Sequence, residues 1–287
     1  MHHVGTLFGR RRASPDATGV ASAIIAPRSS APIDTATPGP SAAGAVPTSE
    51  ADWRLSFFEW MIDAAVVPAD VLHPLESRCL AHLDTVLACD EARATLLPRA
   101  PAVIPQLLNS LRQEGASASD WAQHVMRDPH LVAEVIRSAN SAHARAGEPV
   151  VDIAQAIDRI GVDGLRRAIA RVVLKPMFGG TGDSLSARCA PRLWQHSEAE
   201  AAACQQEAVA RGLDPFEGYL AGLMHGIGWT AALRAIDRAR LAPPMPLSRA
   251  FVTAFERRRE SFFALLVMAW QLSDGLSALG SALRLDA

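Results

Sequence analysis

Between Asp128 and Leu174 apolar residues recur every three or four positions in three successive stripes. The first comprises Leu131, Val132, Val135, Ile136 and Ala139; the second Ile153, Ala156, Ile157 and Ile160; the third Leu165, Ile169, Val172 and Val173. That spacing puts each set on one face of an α-helix. Start signals precede all three: Asp128 before Pro129, Asp152 three residues ahead of Gln155, and Asp163. A short acidic side chain can accept a backbone N–H of the first turn, and proline suits a first turn whose N–H has no partner. Gly161 has the character of a residue that ends a helix. Asn140 and Ser141 close the first stripe, and we expect them to bond its terminal carbonyls. Short connections between such helices favour a compact bundle.

The same period continues on both sides. Trp53, Phe57, Trp60, Met61 and Ala64 share a face, with Leu55 and Phe58 beside it. Pro68 and Pro74 then break the chain, and 75–88 predicts a helix with Leu80, Leu83, Val86 and Leu87 inward. Pro101 opens another over Val103, Ile104, Leu107, Leu108 and Leu111, followed by a short one holding Trp121 and Val125. Further on, Lys175-Pro176 halts the third stripe. Residues 178–184 form a glycine-rich loop without the spacing of a phosphate-binding P-loop, and so read as a connection. Pro191 starts a long helix that Gly212 ends. Asp214-Pro215 starts the next, which buries Phe216, Leu220, Leu223, Met224 and Ile227. Helices are also predicted around 231–240, 248–259, 261–270 and 274–283. With no alternating strand pattern and no internal repeat, the fold class is all-α.

Composition separates the first 50 residues from the rest. Ala, Pro, Ser, Thr and Gly dominate there without period, so this tail is expected to be disordered. Arg10-Arg11-Arg12 precedes an apolar run too short and too interrupted for an export signal. Across the chain 28 Lys and Arg stand against 30 Asp and Glu, so no global field draws nucleic acid or an anionic membrane. The longest apolar run, 262–270, is far too short to span a bilayer. Cys79, Cys89, Cys189 and Cys204 form no C-x-x-C pair and read as reduced thiols of a cytoplasmic protein.

Several segments together resemble an HDOD domain, a helical relative of the HD and HD-GYP phosphohydrolases of bacterial signalling proteins. They are Leu97-Pro98, Ala100-Pro101, Asp128-Pro129, Ala139-Asn140-Ser141, Gln155-Ala156-Ile157, Ile160-Gly161 and Gly164-Leu165-Arg166. Further on come Leu193 to Ser197 (LWQHS) and Ala221 to Gly228 (AGLMHGIG). The expected organisation is a tail (1–50), a helical extension (51–96) and an HDOD-like bundle (97–287). The resemblance also implies where a metal-dependent relative would hold its ion: a histidine on one helix, a His-Asp pair on another, and a later carboxylate. His196 and His225 occupy the two histidine positions, but Gly226 stands where the aspartate belongs. A metal site needs its full ligand set. The segment 255–287 contains no histidine and instead carries Arg257, Arg258 and Arg259, three charges that repel a cation. Asp237 and Asp274 are the spare carboxylates nearby. Neither a metal nor any other cofactor is therefore expected.

Arg166, Arg167 and Arg171 share a helix, where they form a solvated face or contact an anion. A single tyrosine leaves base stacking without support. Trp53, Phe57, Trp60 and Met61 either pack the extension against the main domain, the favoured reading, or dock a partner. The expected function is that of a non-catalytic regulatory protein whose helical domain docks signalling proteins. The alternatives are a residual phosphohydrolase acting on a nucleotide, and a module that senses a nucleotide without cleaving it.

Overall fold

The computed structural model describes residues 50–96, 128–142 and 149–270, with isolated positions at 122, 125, 126, 276, 279–281 and 283. The tail before residue 50, the resembling Leu97-Pro98 and Ala100-Pro101, and the helix expected at 101–111 lie outside the described residues. The described chain forms nine helices and two two-residue strands. In order these are α1 (Glu50–Ile62), β1 (Val66–Val67), α2 (Pro74–Ala88), α3 (Asp90–Leu96), α4 (Pro129–Ala142), α5 (Ile153–Phe178), α6 (Leu185–Ala210), α7 (Pro215–His225), α8 (Ile227–Arg238), β2 (Leu247–Ser248) and α9 (Arg249–Trp270). Among the described residues no helix is long and apolar enough to cross a membrane.

Local capping accounts for many of the boundaries. Asp152 accepts the Gln155 N–H at the start of α5, and Asp214 accepts the Phe216 N–H at the start of α7, where Pro215 takes the first turn. The α5 helix carries two of the expected stripes, joined at Gly161. With φ +68° and ψ 179° this residue leaves helical geometry in a region only glycine adopts readily. Lys175-Pro176 does not stop α5, which runs on to Phe178.

One helix start, one helix break and one side-chain partner differ from expectation. The long helix α6 begins at Leu185 rather than Pro191, because Ser184 accepts the Ala187 N–H while Asp237, from α8, accepts the N–H groups of Leu185 and Ser186. The predicted helices at 248–259 and 261–270 are one continuous α9. Asn140 does not bond its own helix end. Its amide donates to Val150 O (3.0 Å) and accepts from Val150 N (2.8 Å), clasping α4 to the approach of α5.

One core runs through the described helices. The pairs α6–α7, α4–α5 and α8–α9 pack most closely, and α2 lies against both α8 and α9. Phe58 and Met61 of α1 and Leu83 of α2 are fully buried in the same cluster as Trp229, Phe255 and Phe262. The strands β1 and β2 pair in parallel, Val66 with Leu247 and Val67 with Ser248, a register too short to leave an alternating pattern in the sequence. Beside them the buried Glu76 carboxylate accepts from Ser248 N (2.7 Å), Ser248 Oγ (2.7 Å) and His73 N (2.8 Å).

Candidate functional site

A spine of glycines brings the two expected histidines together. On α7, Gly218 and Gly222 fall one turn apart and face α6. A Cβ at Gly218 would lie 2.6 Å from Cys204 O, and one at Gly222 2.6 Å from Glu200 O. Only hydrogen fits in that space, so the two helix backbones meet directly. Gly228 repeats the device between α8 and α9, where a Cβ would lie 2.3 Å from Arg259 O. The helices α6, α7 and α9 thereby converge on one polar cluster.

Four side chains form its centre. Glu200 lies one turn beyond His196 on α6, and its Oε1 is 3.4 Å from His196 Nε2. His225, the last residue of α7, sets Nδ1 at 3.1 and 3.2 Å from the two Glu200 oxygens. On its other side, His225 Nε2 is 2.7 Å from Arg259 Nη1. The guanidinium has no lone pair and can only donate, so Nε2 must accept. The His225 proton therefore resides on Nδ1, where it is donated to Glu200. Arg259 is further held by Glu256 (2.8 Å) and Glu260 (3.3 Å), and lies 5.4 Å from the centre of the Trp229 ring.

The electrostatics follow from burial and charge. Burial alone would raise the Glu200 carboxyl, but the His225 and His196 imidazoles beside it outweigh burial and hold it far below the ordinary carboxylate range. Burial works against the Arg259 charge as well. Glu256, Glu260 and Glu200 overcome it and raise its affinity for the proton. Aromatic rings close over the cluster: Phe57 of α1 lies 4.3 Å from the His196 ring and 5.5 Å from Trp229, and Phe263 meets His225 edge-on.

These residues do not fit a divalent metal. The His225 lone pair that would ligate is engaged by a guanidinium, and the one carboxylate between the histidines is occupied by both. A Cβ at Gly226 would lie 2.1 Å from Ser197 Oγ and 3.0 Å from Phe178 Cε1, so a side chain there would require the serine hydroxyl to turn aside. Asp237 is committed to the start of α6. Among the described residues no other group of His, Cys, Asp and Glu is arranged to hold an ion.

Of the three consecutive arginines, Arg259 alone enters the cluster. Arg258 pairs with Asp84 (2.6 Å), and Arg257 lines a separate surface cavity with Asp70 and Arg249. Glu200 and the role of Arg259 were missed from sequence. Glu200 had a signal, a carboxylate four residues after His196 on one helix face. Arg259 had none that distinguished it from its neighbours. The arginines of α5 are largely committed to protein carboxylates: Arg166 pairs with Asp163 (3.3 Å), and Arg171 with Glu134 (3.1 Å) and Glu198, while Arg167 is half-buried. On α1 Trp53 is 38% exposed, Phe57 and Trp60 are half-buried, and Met61 is fully buried.

Two solved structures are similar to this chain. A Shewanella amazonensis SB2B protein, provisionally described as a metal-dependent phosphohydrolase, superposes with a TM-score of 0.56 at 20% identity, covering 75% of this chain and 78% of its own. An HDOD domain protein of unknown function from Geobacter sulfurreducens gives a TM-score of 0.48 at 21% identity, covering 73% and 78%. No curated protein matches the chain. The HDOD domain model matches residues 97–278, which span the helices that carry His196, His225 and Arg259, and on that match the chain belongs to the HDOD domain family.

Proposed function

We propose that this protein is a non-catalytic regulatory member of its family, whose helical domain serves bacterial signalling as a docking scaffold. One observation carries the reading: Arg259 donates into the His225 nitrogen that a hydrolytic metal would need. Hydrolysis of a phosphate ester requires an activated water and stabilisation of developing charge. Here the one carboxylate is shared by both imidazoles and a fixed guanidinium takes the remaining His225 nitrogen, which leaves these residues no ligand set to activate water. A rigid helical surface meets the different requirement of docking. The exposed Trp53, beside the half-buried Phe57 and Trp60, supports α1 as the contact surface, because such aromatic side chains anchor interfaces. The phosphohydrolase description belongs to the Shewanella protein, and Arg259 argues against carrying it over to this chain.

The test has two arms. Incubation with manganese and a panel of cyclic dinucleotides and nucleoside triphosphates should give no turnover that His225→Ala abolishes; such turnover would make the protein an enzyme. In capture from the native host, Trp53→Ala should lose partners that the wild type retains, with its circular dichroism unchanged. Equal capture by both proteins removes α1 from the interface.

A further inference from the structure

The glycine-rich connection between α5 and α6 lines a cavity of about 590 Å³ that shares no lining residue with the histidine cluster. Its lining includes Arg234, Arg238, Arg240 and Asp237 together with the hydroxyl residues Thr95, Thr181, Ser184 and Ser186. Three guanidinium groups thus face one carboxylate. Both Asp237 oxygens accept N–H groups at the start of α6 (2.9 Å each), and its charge offsets only one of the three. That helix start offers an external anion little, since Ser184 takes the Ala187 N–H as well. Recognition would fall to the arginines and the hydroxyls.

Two of the arginines have a structural task. Arg234 donates to Leu96 O (3.0 Å) and Gly179 O, and Arg238 to Thr95 Oγ1 (2.6 Å) and Thr95 O, so both satisfy carbonyls at the end of α3. Carbonyls and a hydroxyl accept these hydrogens but do not neutralise the charge. Arg234 and Arg238 lie one turn apart on α8, a spacing at which like charges repel. Burial, and then Arg238 beside it, lower the proton affinity of Arg234. Arg240 closes α8 in a left-handed conformation (φ 52°), with its N–H donated to Asp237 O (2.9 Å) and the Leu241 N–H to Ile236 O (3.2 Å), and its side chain adds a third positive charge to the same cavity. The Arg240 guanidinium, with the charges of Arg234 and Arg238 beside it and the Thr181 hydroxyl on the same wall of a space larger than one phosphate, suits linked phosphoryl groups.

We propose that the cavity lined by Thr181, Arg234, Arg238 and Arg240 binds a small phosphorylated ligand through a diphosphate group. It is independent of the histidine cluster and of the docking surface on α1. Inorganic pyrophosphate is the probe, titrated calorimetrically into the full chain, with inorganic phosphate and sulfate as comparisons. Saturable pyrophosphate binding should exceed that of sulfate by about tenfold, the scale of an added charge-assisted contact. Arg240→Glu should weaken it by at least about tenfold, and Arg240→Gln by less, because reversal adds repulsion to the lost attraction. The Arg240 side chain is exposed, so circular dichroism should show both variants folded. The idea is overturned by an absence of saturable binding, by sulfate binding equally well, or by unchanged affinity in both folded variants.

Discussion

The histidine cluster illustrates how one residue can redirect a site. A guanidinium in contact with His225 Nε2 sets a positive charge beside the histidine pair, and its fork is fixed by Glu256 and Glu260. The cluster is thereby turned to holding α6, α7 and α9 together. Glu200 is its hinge, and its depressed proton affinity makes it a stability term that depends on pH. A carboxyl whose folded-state affinity is lowered contributes fully above its unfolded range, near pH 4.3, and loses that contribution as pH falls towards its folded value. Glu200→Gln removes this linkage. We expect the variant to melt below the wild type at pH 7 and to show a shallower loss of stability below about pH 4.3. Melting temperatures measured from pH 7 down to pH 3 check both statements; parallel curves would show that Glu200 carries no linked proton.

At the scale of elements, the decisive contact is the glycine-lined approach of α7 to α6. With Gly222 set against the Glu200 carbonyl, the helix axis cannot retreat without carrying His225 away from Glu200. Gly222→Ala adds a Cβ against backbone, which cannot rotate aside. Intrinsic helix propensity favours alanine by up to about 1 kcal/mol, whereas overpacking costs about 1–3 kcal/mol. We expect net destabilisation, read as a lower urea midpoint. A raised midpoint would mean that the two helices separate at little cost. Gly161 acts in the opposite sense, since nothing lies within 4 Å of a Cβ placed there; its positive φ, rather than a close contact, bends α5.

Across the whole molecule, the helices before residue 97 and those after residue 128 meet in one apolar cluster and are tied together at β1–β2. Glu76 is the polar centre of that tie, accepting three hydrogen bonds in a buried place. Glu76→Ala would leave the N–H of Ser248 buried without its acceptor. A loss of about 3 kcal/mol is expected for charged hydrogen bonds of this kind. Because the core is continuous, that loss should shift a single cooperative urea transition rather than split it. Two transitions, followed by fluorescence and circular dichroism, would show that the first helices unfold as a separate unit.

What the sequence determined by itself was largely local. Its apolar stripes, together with Asp152, Gly161 and Asp214-Pro215, located helices because those signals act within one or two turns. The same reading singled out His196 and His225 from contiguous residues, and the structure brings the two to one carboxylate, Glu200. Tertiary structure decided where local rules compete. Pro191 is a sound start signal, yet Asp237, 52 residues beyond Leu185 and 51 beyond Ser186, supplies the acceptors that let α6 begin earlier. Asn140 could have bonded its own helix end, but Val150 offered a donor and an acceptor together. Among three adjacent arginines, the rotation of α9 against Gly228 selects Arg259 for the histidines and leaves Arg258 to Asp84. Such choices depend on the angle and distance at which helices pack, and these are fixed only when the side chains of distant segments fill the same space.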